Sequence, residues 1–240
     1  MAAILTVATA PAMAQWLNYP TPGIPRTPDG KPKLTAPVPR TADGRPDLSG
    51  IWQGDQPGFA RNLGLKPGDV VLTPEGQALQ GQRRGGGPCM PFSLPTLDGF
   101  ALFPFKILPM AGEIVILHEH DHLFRQIFMD GRPLPKDLNP TWLGYSVGKW
   151  DGDKLVVDTA GFNDKPVIPG GVNYSEALHI TERYRRTDFG HMEIHFTIDD
   201  PKVYTKPWSF TRRFDLLPDT ELLEYICNEN EKDLKHIVDR

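Results

Sequence analysis

A chain of 240 residues with 26 Lys and Arg against 30 Asp and Glu carries a net charge of −4. That balance offers no field for DNA, RNA or anionic lipid, so nucleic acid is not an expected partner. A hydrophobic fraction of 39% suits one large globular domain, and no stretch after the N-terminus approaches the length of apolar sequence a membrane span needs.

Residues Met1 to Ala14 form an apolar run ending in Ala12-Met13-Ala14, the small-x-small pattern of a signal-peptidase site. This predicts a signal peptide over 1–14 and a periplasmic or secreted mature protein. In that compartment Cys89 and Cys227, the only cysteines, are read as one disulfide. Metal ligation by the pair is the alternative, without a CxxC spacing to accompany it.

Residues 15–46 are expected to be an extended Pro-rich arm. A near-repeat runs through the arm and ends just inside the domain, Pro25-Arg-Thr-Pro-Asp-Gly-Lys-Pro-Lys-Leu34 and Pro39-Arg-Thr-Ala-Asp-Gly-Arg-Pro-Asp-Leu48. Each Asp-Gly marks a turn, and the flanking prolines forbid a helix or a central strand. The sequence permits an ordered strap or a disordered linker. One domain is predicted over 47–240, beginning at Asp47-Leu-Ser-Gly-Ile-Trp52. Thr73 as N-cap and Pro74 behind it predict a helix to Leu79, ended by Gly85-Gly-Gly-Pro88.

The rest reads as strand and turn. Glu113–His118 and His122–Phe128 are joined by Glu119-His120-Asp121, and Tyr145–Trp150 and Lys154–Thr159 flank the hairpin signal Asp151-Gly152. Leu178–Arg186, His191–Ile198, Trp208–Leu216 and Glu221–Cys227 follow, and Asn228 caps a short C-terminal helix through Val238. Strands at hairpin spacing without intervening helices predict an all-β antiparallel meander, about eight strands closed as a barrel.

Gly50-Ile51-Trp52 on the first strand is similar to the lipocalin Gly-x-Trp signature, and the architecture resembles the calycin superfamily. The resemblance implies a basic residue from a late strand over the Trp, a role for Arg212 or Arg213, and a lumen for a small ligand. Cys89-Met-Pro, Arg125–Arg132, Pro140–Thr159 and Thr181–Tyr184 resemble a large group of exported bacterial proteins. That likeness implies export and carries no mechanism with it.

Two constellations carry candidate chemistry. His118-Glu-His120-Asp-His122 and His191-Met-Glu193-Ile-His195 place imidazoles two residues apart, which on a strand puts them on one face. Imidazole with carboxylate suits zinc or another divalent metal, so His118, His120, His122, His191, Glu193 and His195 are the candidate ligands. The same stretches also read as a hairpin tip and a polar outer strand face. No cofactor is the primary expectation.

The second constellation is metal-free: Glu182, His122, Arg125, Arg132, Tyr145 and Asp158. Glu182 lies between Ile180 and Tyr184 on one strand face, where an unpaired carboxylate would have a raised pKa and serve as a general acid or base. With a His as partner and Arg125 or Arg132 stabilising negative charge, that suits a lyase, hydratase or isomerase acting on a small, partly apolar molecule. A Glu182–Arg or Asp130–Arg ion pair that only fixes the fold is the competing reading, and a non-catalytic carrier the competing function.

Overall fold

The computed structural model describes residues 20–54, 63–80, 91–94, 96–99, 103–163 and 174–225. The predicted signal peptide, both cysteines, the glycine run at 85–87 and the predicted C-terminal helix lie outside these residues.

Nine strands form a closed barrel in chain order: β1 (Gly50–Gly54), β2 (Phe105–Met110), β3 (Glu113–His118), β4 (Phe124–Phe128), β5 (Tyr145–Asp151), β6 (Lys154–Ala160), β7 (His179–Arg186), β8 (His191–Asp199) and β9 (Trp208–Leu216). Among the described residues of the connection from β1 to β2 are two short helices, α1 (Pro74–Gln80) and α2 (Thr96–Gly99). Thr73 caps α1 as its sequence predicts, its hydroxyl accepting the Gly76 N–H at 2.9 Å.

Two expectations about strands are corrected. Residues 221–225 are not a strand, because β9 already pairs with β8 on one edge and with β1 on the other, leaving no free edge for a hairpin partner. In their place β2 enters the sheet, with Pro109 inside it. Pro109 lies beyond Gly50↔Ile107, the last β1–β2 pair, so its missing N–H costs nothing on that side.

The meander is also not wholly antiparallel. β4 and β5 run parallel and share only Ile127↔Ser146 and Phe128↔Val147. Nine strands in a closed ring cannot all alternate in direction, so at least one neighbouring pair must run the same way. A parallel neighbour requires a connection that returns along the barrel. Residues 129–144, with Pro133, Pro135 and Pro140, supply it.

The barrel interior is filled. On β8, Met192, Ile194, Phe196 and Ile198 are buried, whereas His191, Glu193 and His195 between them are not. Phe196 stacks on Phe210 at 4.9 Å, and Phe105 meets Phe214 edge-on at 5.4 Å. Inward-facing side chains retain almost no accessible surface. A ligand site on the described residues therefore lies outside the barrel wall.

The arm is an ordered strap across one end. Its repeats close as matching turns through the bridges Arg26↔Pro32 and Arg40↔Pro46. The first Arg of each repeat reaches a barrel carboxylate with both terminal nitrogens: Arg26 to Asp219 at 2.5 and 3.1 Å, Arg40 to Asp153 at 2.7 and 3.0 Å. Between the clamps, the Leu34 and Ala36 carbonyls accept N–H bonds from Gly190 and Phe189 at 2.7 and 2.8 Å. A Cβ on Gly190 would stand 2.4 Å from the Leu34 Cβ, so only glycine admits this approach.

The Gly-x-Trp motif has a local cause. Gly50 has φ +131°, and a Cβ there would lie 2.5 Å from Leu216. Trp52 is fully buried and donates its indole N–H to the Leu48 carbonyl at 3.0 Å. The cation over it is neither Arg212 nor Arg213. Arg212 points inward, Arg213 projects outward 3.5 Å from Glu193, and Arg186 at the end of β7 lies 4.9 Å above the Trp52 ring.

Candidate functional site

Inside the barrel, the two-residue period turns Arg125 of β4, Ser146 of β5, Thr159 of β6, and Glu182 and Tyr184 of β7 toward one another. Arg125 grips the Glu182 carboxylate through both terminal nitrogens, Nη1 to Oε1 at 3.0 Å and Nη2 to Oε2. Its Nε donates to Ser146 Oγ at 3.1 Å and its Nη2 to Thr159 Oγ1 at 2.9 Å. The Tyr184 hydroxyl donates to Glu182 Oε1 at 2.9 Å. Glu182 is 0% and Arg125 2% exposed. This is the ion-pair reading of Glu182, with Arg125 as its counter-ion. The pair also bridges β4 to β5, β6 and β7 beside the seam where the backbone supplies only two residue pairs.

His118 ends β3 within the field of this pair. Burial pushes its imidazole down to about 3, with Arg125 lowering it further and Glu182 opposing. Its imidazole is therefore neutral near pH 7, and no imidazolium is available there as a general acid. His122, the histidine expected to join Glu182, sits on the β3–β4 turn, where its Nε2 accepts the Tyr225 N–H at 3.0 Å.

That turn is not a continuous strand but the tip of the β3–β4 hairpin, where His122 is exposed as a tip residue should be and His120 is buried. His120–His122 form a 3₁₀ turn with Asp121 and His122 at positive φ. His120 is buried, stacked on Phe92 at 4.5 Å and Tyr225 at 5.4 Å, with Nδ1 2.7 Å from the Asp121 carboxylate. Glu119 accepts the Leu223 N–H at 3.0 Å. The stretch docks the 92–94 and 223–225 segments onto the barrel.

The second His cluster lies on the outer face of β8. His191 pairs with Asp188 at 2.6 Å, Glu193 stands between Arg185 and Arg213, and His195 meets Thr211 at 3.0 Å. His118 points inward and this set points outward, so the two clusters do not converge. Among the described residues no group of three or more His, Cys, Asp or Glu is arranged to hold a metal ion. The structure thus separates the zinc ligand set proposed from sequence.

Three of the metal-free candidates gather elsewhere. The connector Gly131–Leu134, the outer face of β5 at Val147–Lys149, Asp158 and His179 enclose a cleft of about 400 Å³. Arg132 enters it from the turn that follows β4. It is fixed by Asp130 at 2.8 Å, donates to the Tyr145 hydroxyl at 3.1 Å and lies 4.1 Å above the Phe128 ring, which stacks on Tyr145. Bonding to Asp130 holds the guanidinium above its ordinary pKa and the carboxylate below its own. Asp158 accepts the Thr181 hydroxyl at 2.7 Å and stands 3.8 Å from His179 Nε2.

Arg132, Tyr145 and Asp158 are therefore neighbours, on the opposite face of the wall from Arg125 and Glu182. Lys149 and His179 complete the cleft and were not foreseen. Lys149 shares the outward period of β5 with Val147, which is visible in sequence. The β6–β7 register that sets Asp158 opposite Thr181 is not.

Comparison with protein-family models, with curated proteins and with solved structures finds no match to this chain.

Proposed function

We propose that this chain is an exported small-molecule-binding barrel, calycin-like in build, whose ligand sits in the outer cleft over β5, β6 and β7. The observation that carries the reading is the convergence of Arg132, Lys149, Asp158 and His179 on one cleft of about 400 Å³. That size is ordinary for a small-molecule site, as is a mostly apolar wall with a few convergent polar groups. Two cations suit a carboxylate, Asp158 and His179 suit a hydroxyl, and Pro133, Leu134 and Val147 suit an apolar body. A small hydroxy-carboxylate fits this set. Export rests on Met1–Ala14, and the calycin likeness on the closed barrel and the Gly50-Ile51-Trp52 start.

Binding is favoured over acid–base catalysis at Glu182 because that carboxylate is already held by Arg125 and Tyr184. The lyase or isomerase reading finds a better place in the cleft, where His179 and Asp158 flank the two cations. The test is heteronuclear NMR titration with 4-hydroxybenzoate. Saturable shifts at Lys149, Asp158 and His179, lost in Arg132→Ala and Lys149→Ala, support the proposal. Absence of shifts at the cleft with 4-hydroxybenzoate in millimolar excess refutes it.

A further inference from the structure

A second cleft, of about 440 Å³, opens at the strap end of the barrel, between Thr21–Ile24 of the arm and the β1, β2 and β9 ends. Its apolar wall includes Pro22, Ile24, Leu216 and Leu217, and Lys106 and Arg186 are its lining cations. Arg186 is 5% exposed.

Among the described residues, the Arg186 guanidinium is hydrogen-bonded only to main-chain carbonyls. Nε donates to Asp188 O and Phe189 O at 3.2 and 3.0 Å, Nη1 to Asp47 O and Ser49 O at 2.5 and 3.4 Å, and Nη2 to Phe189 O. These bonds engage four of its five N–H groups. Among the described residues no carboxylate forms an ion pair with it. The Asp47 carboxylate accepts the Ser49 N–H at 2.8 Å, and that of Asp188 is engaged by His191 and Gly190. Carbonyl dipoles solvate a cation without neutralising it, and a buried charge without a counter-ion is costly. Burial draws the Arg186 pKa down to about 10, with Asp47 and Asp188 opposing. Glu221 is the other carboxylate lining the cleft, and it is exposed.

We infer that this cleft is a second binding site, separate from the β5–β7 cleft, for a small monoanion with an aliphatic body. Its carboxylate neutralises Arg186 and meets Lys106, and its chain lies on Pro22, Ile24, Leu216 and Leu217. Because arm and barrel both line the site, the ligand also ties the strap down.

The test is calorimetric titration of the full mature chain with octanoate, and with octanol as the uncharged control. Octanol is expected to bind about tenfold more weakly, the worth of a charge-assisted hydrogen bond. Lys106→Met should weaken octanoate several-fold without altering octanol, and Arg132→Ala should change neither. Arg186 also fixes the entry into β1 through the Asp47 and Ser49 carbonyls, so Arg186→Met risks misfolding, whereas Lys106→Met keeps every contact described for that guanidinium. Equal affinity for octanoate and octanol, no octanoate binding, or an octanoate affinity untouched by Lys106→Met would each overturn the inference. The reading of the β5–β7 cleft fails separately, through Arg132→Ala and 4-hydroxybenzoate.

Discussion

Replacing Glu182 by Gln should be among the most damaging conservative changes in this protein. The substitution keeps the shape of the side chain and removes the charge that balances Arg125, whose guanidinium is 2% exposed and bonded across four strands. Removing one partner of a buried pair costs about 3–5 kcal/mol, because the other charge stays buried without compensation. For a chain of this size each kcal/mol moves Tm by about 2–4 °C, so the expected fall is roughly 6–20 °C. Thermal unfolding followed by far-UV circular dichroism at pH 7 reads it directly. The double variant Arg125→Met with Glu182→Leu removes both charges and leaves the Ser146–Thr159 bond of 2.9 Å in place. It should recover much of the loss, since well-packed apolar replacements of buried pairs are often neutral or better. A Glu182→Gln protein that melts within 2 °C of the parent would refute the buried-pair argument. It would also return Glu182 to the list of carboxylates available for chemistry.

His118 gives a pH signature. Its folded pKa, about 3, lies below the ordinary 6.5, so the unfolded chain takes up the proton first. The stabilisation is complete above pH 6.5 and is lost as pH falls toward 3, at up to about 1.4 kcal/mol per pH unit for one proton. His118→Phe should flatten urea-derived stability between pH 6.5 and 4; an unchanged slope would count against burial of the neutral ring. Gly50→Ala should destabilise by at least about 1 kcal/mol, because it places a Cβ against Leu216 at a φ only glycine adopts readily. A neutral Gly50→Ala variant in chemical denaturation would contradict that backbone geometry. Cys89 and Cys227, the only cysteines, are predicted to form one disulfide. Mass spectrometry after alkylation should show no modified cysteine without reductant and two with it.

Much of the local structure was legible in the sequence because it depends on short-range rules. The α1 cap at Thr73, the Asp151-Gly152 hairpin and the outward face of His191, Glu193 and His195 follow from neighbours a few residues apart. The repeated Pro-Arg-Thr-x-Asp-Gly announced two equal turns, and equal turns formed. The sequence also named Arg132, Tyr145, Asp158, Arg125 and Glu182 as chemically loaded residues. It had no means of dividing them. Asp158 and Thr159 are adjacent in the chain yet face opposite sides of the wall, so a choice of face decides which constellation each joins. That choice is fixed only by barrel closure, which with nine strands also required a parallel seam, left 221–225 without an edge to pair with, and brought Arg186 over Trp52. Closure joins residues more than a hundred positions apart, and no pattern of period two carries information over that distance.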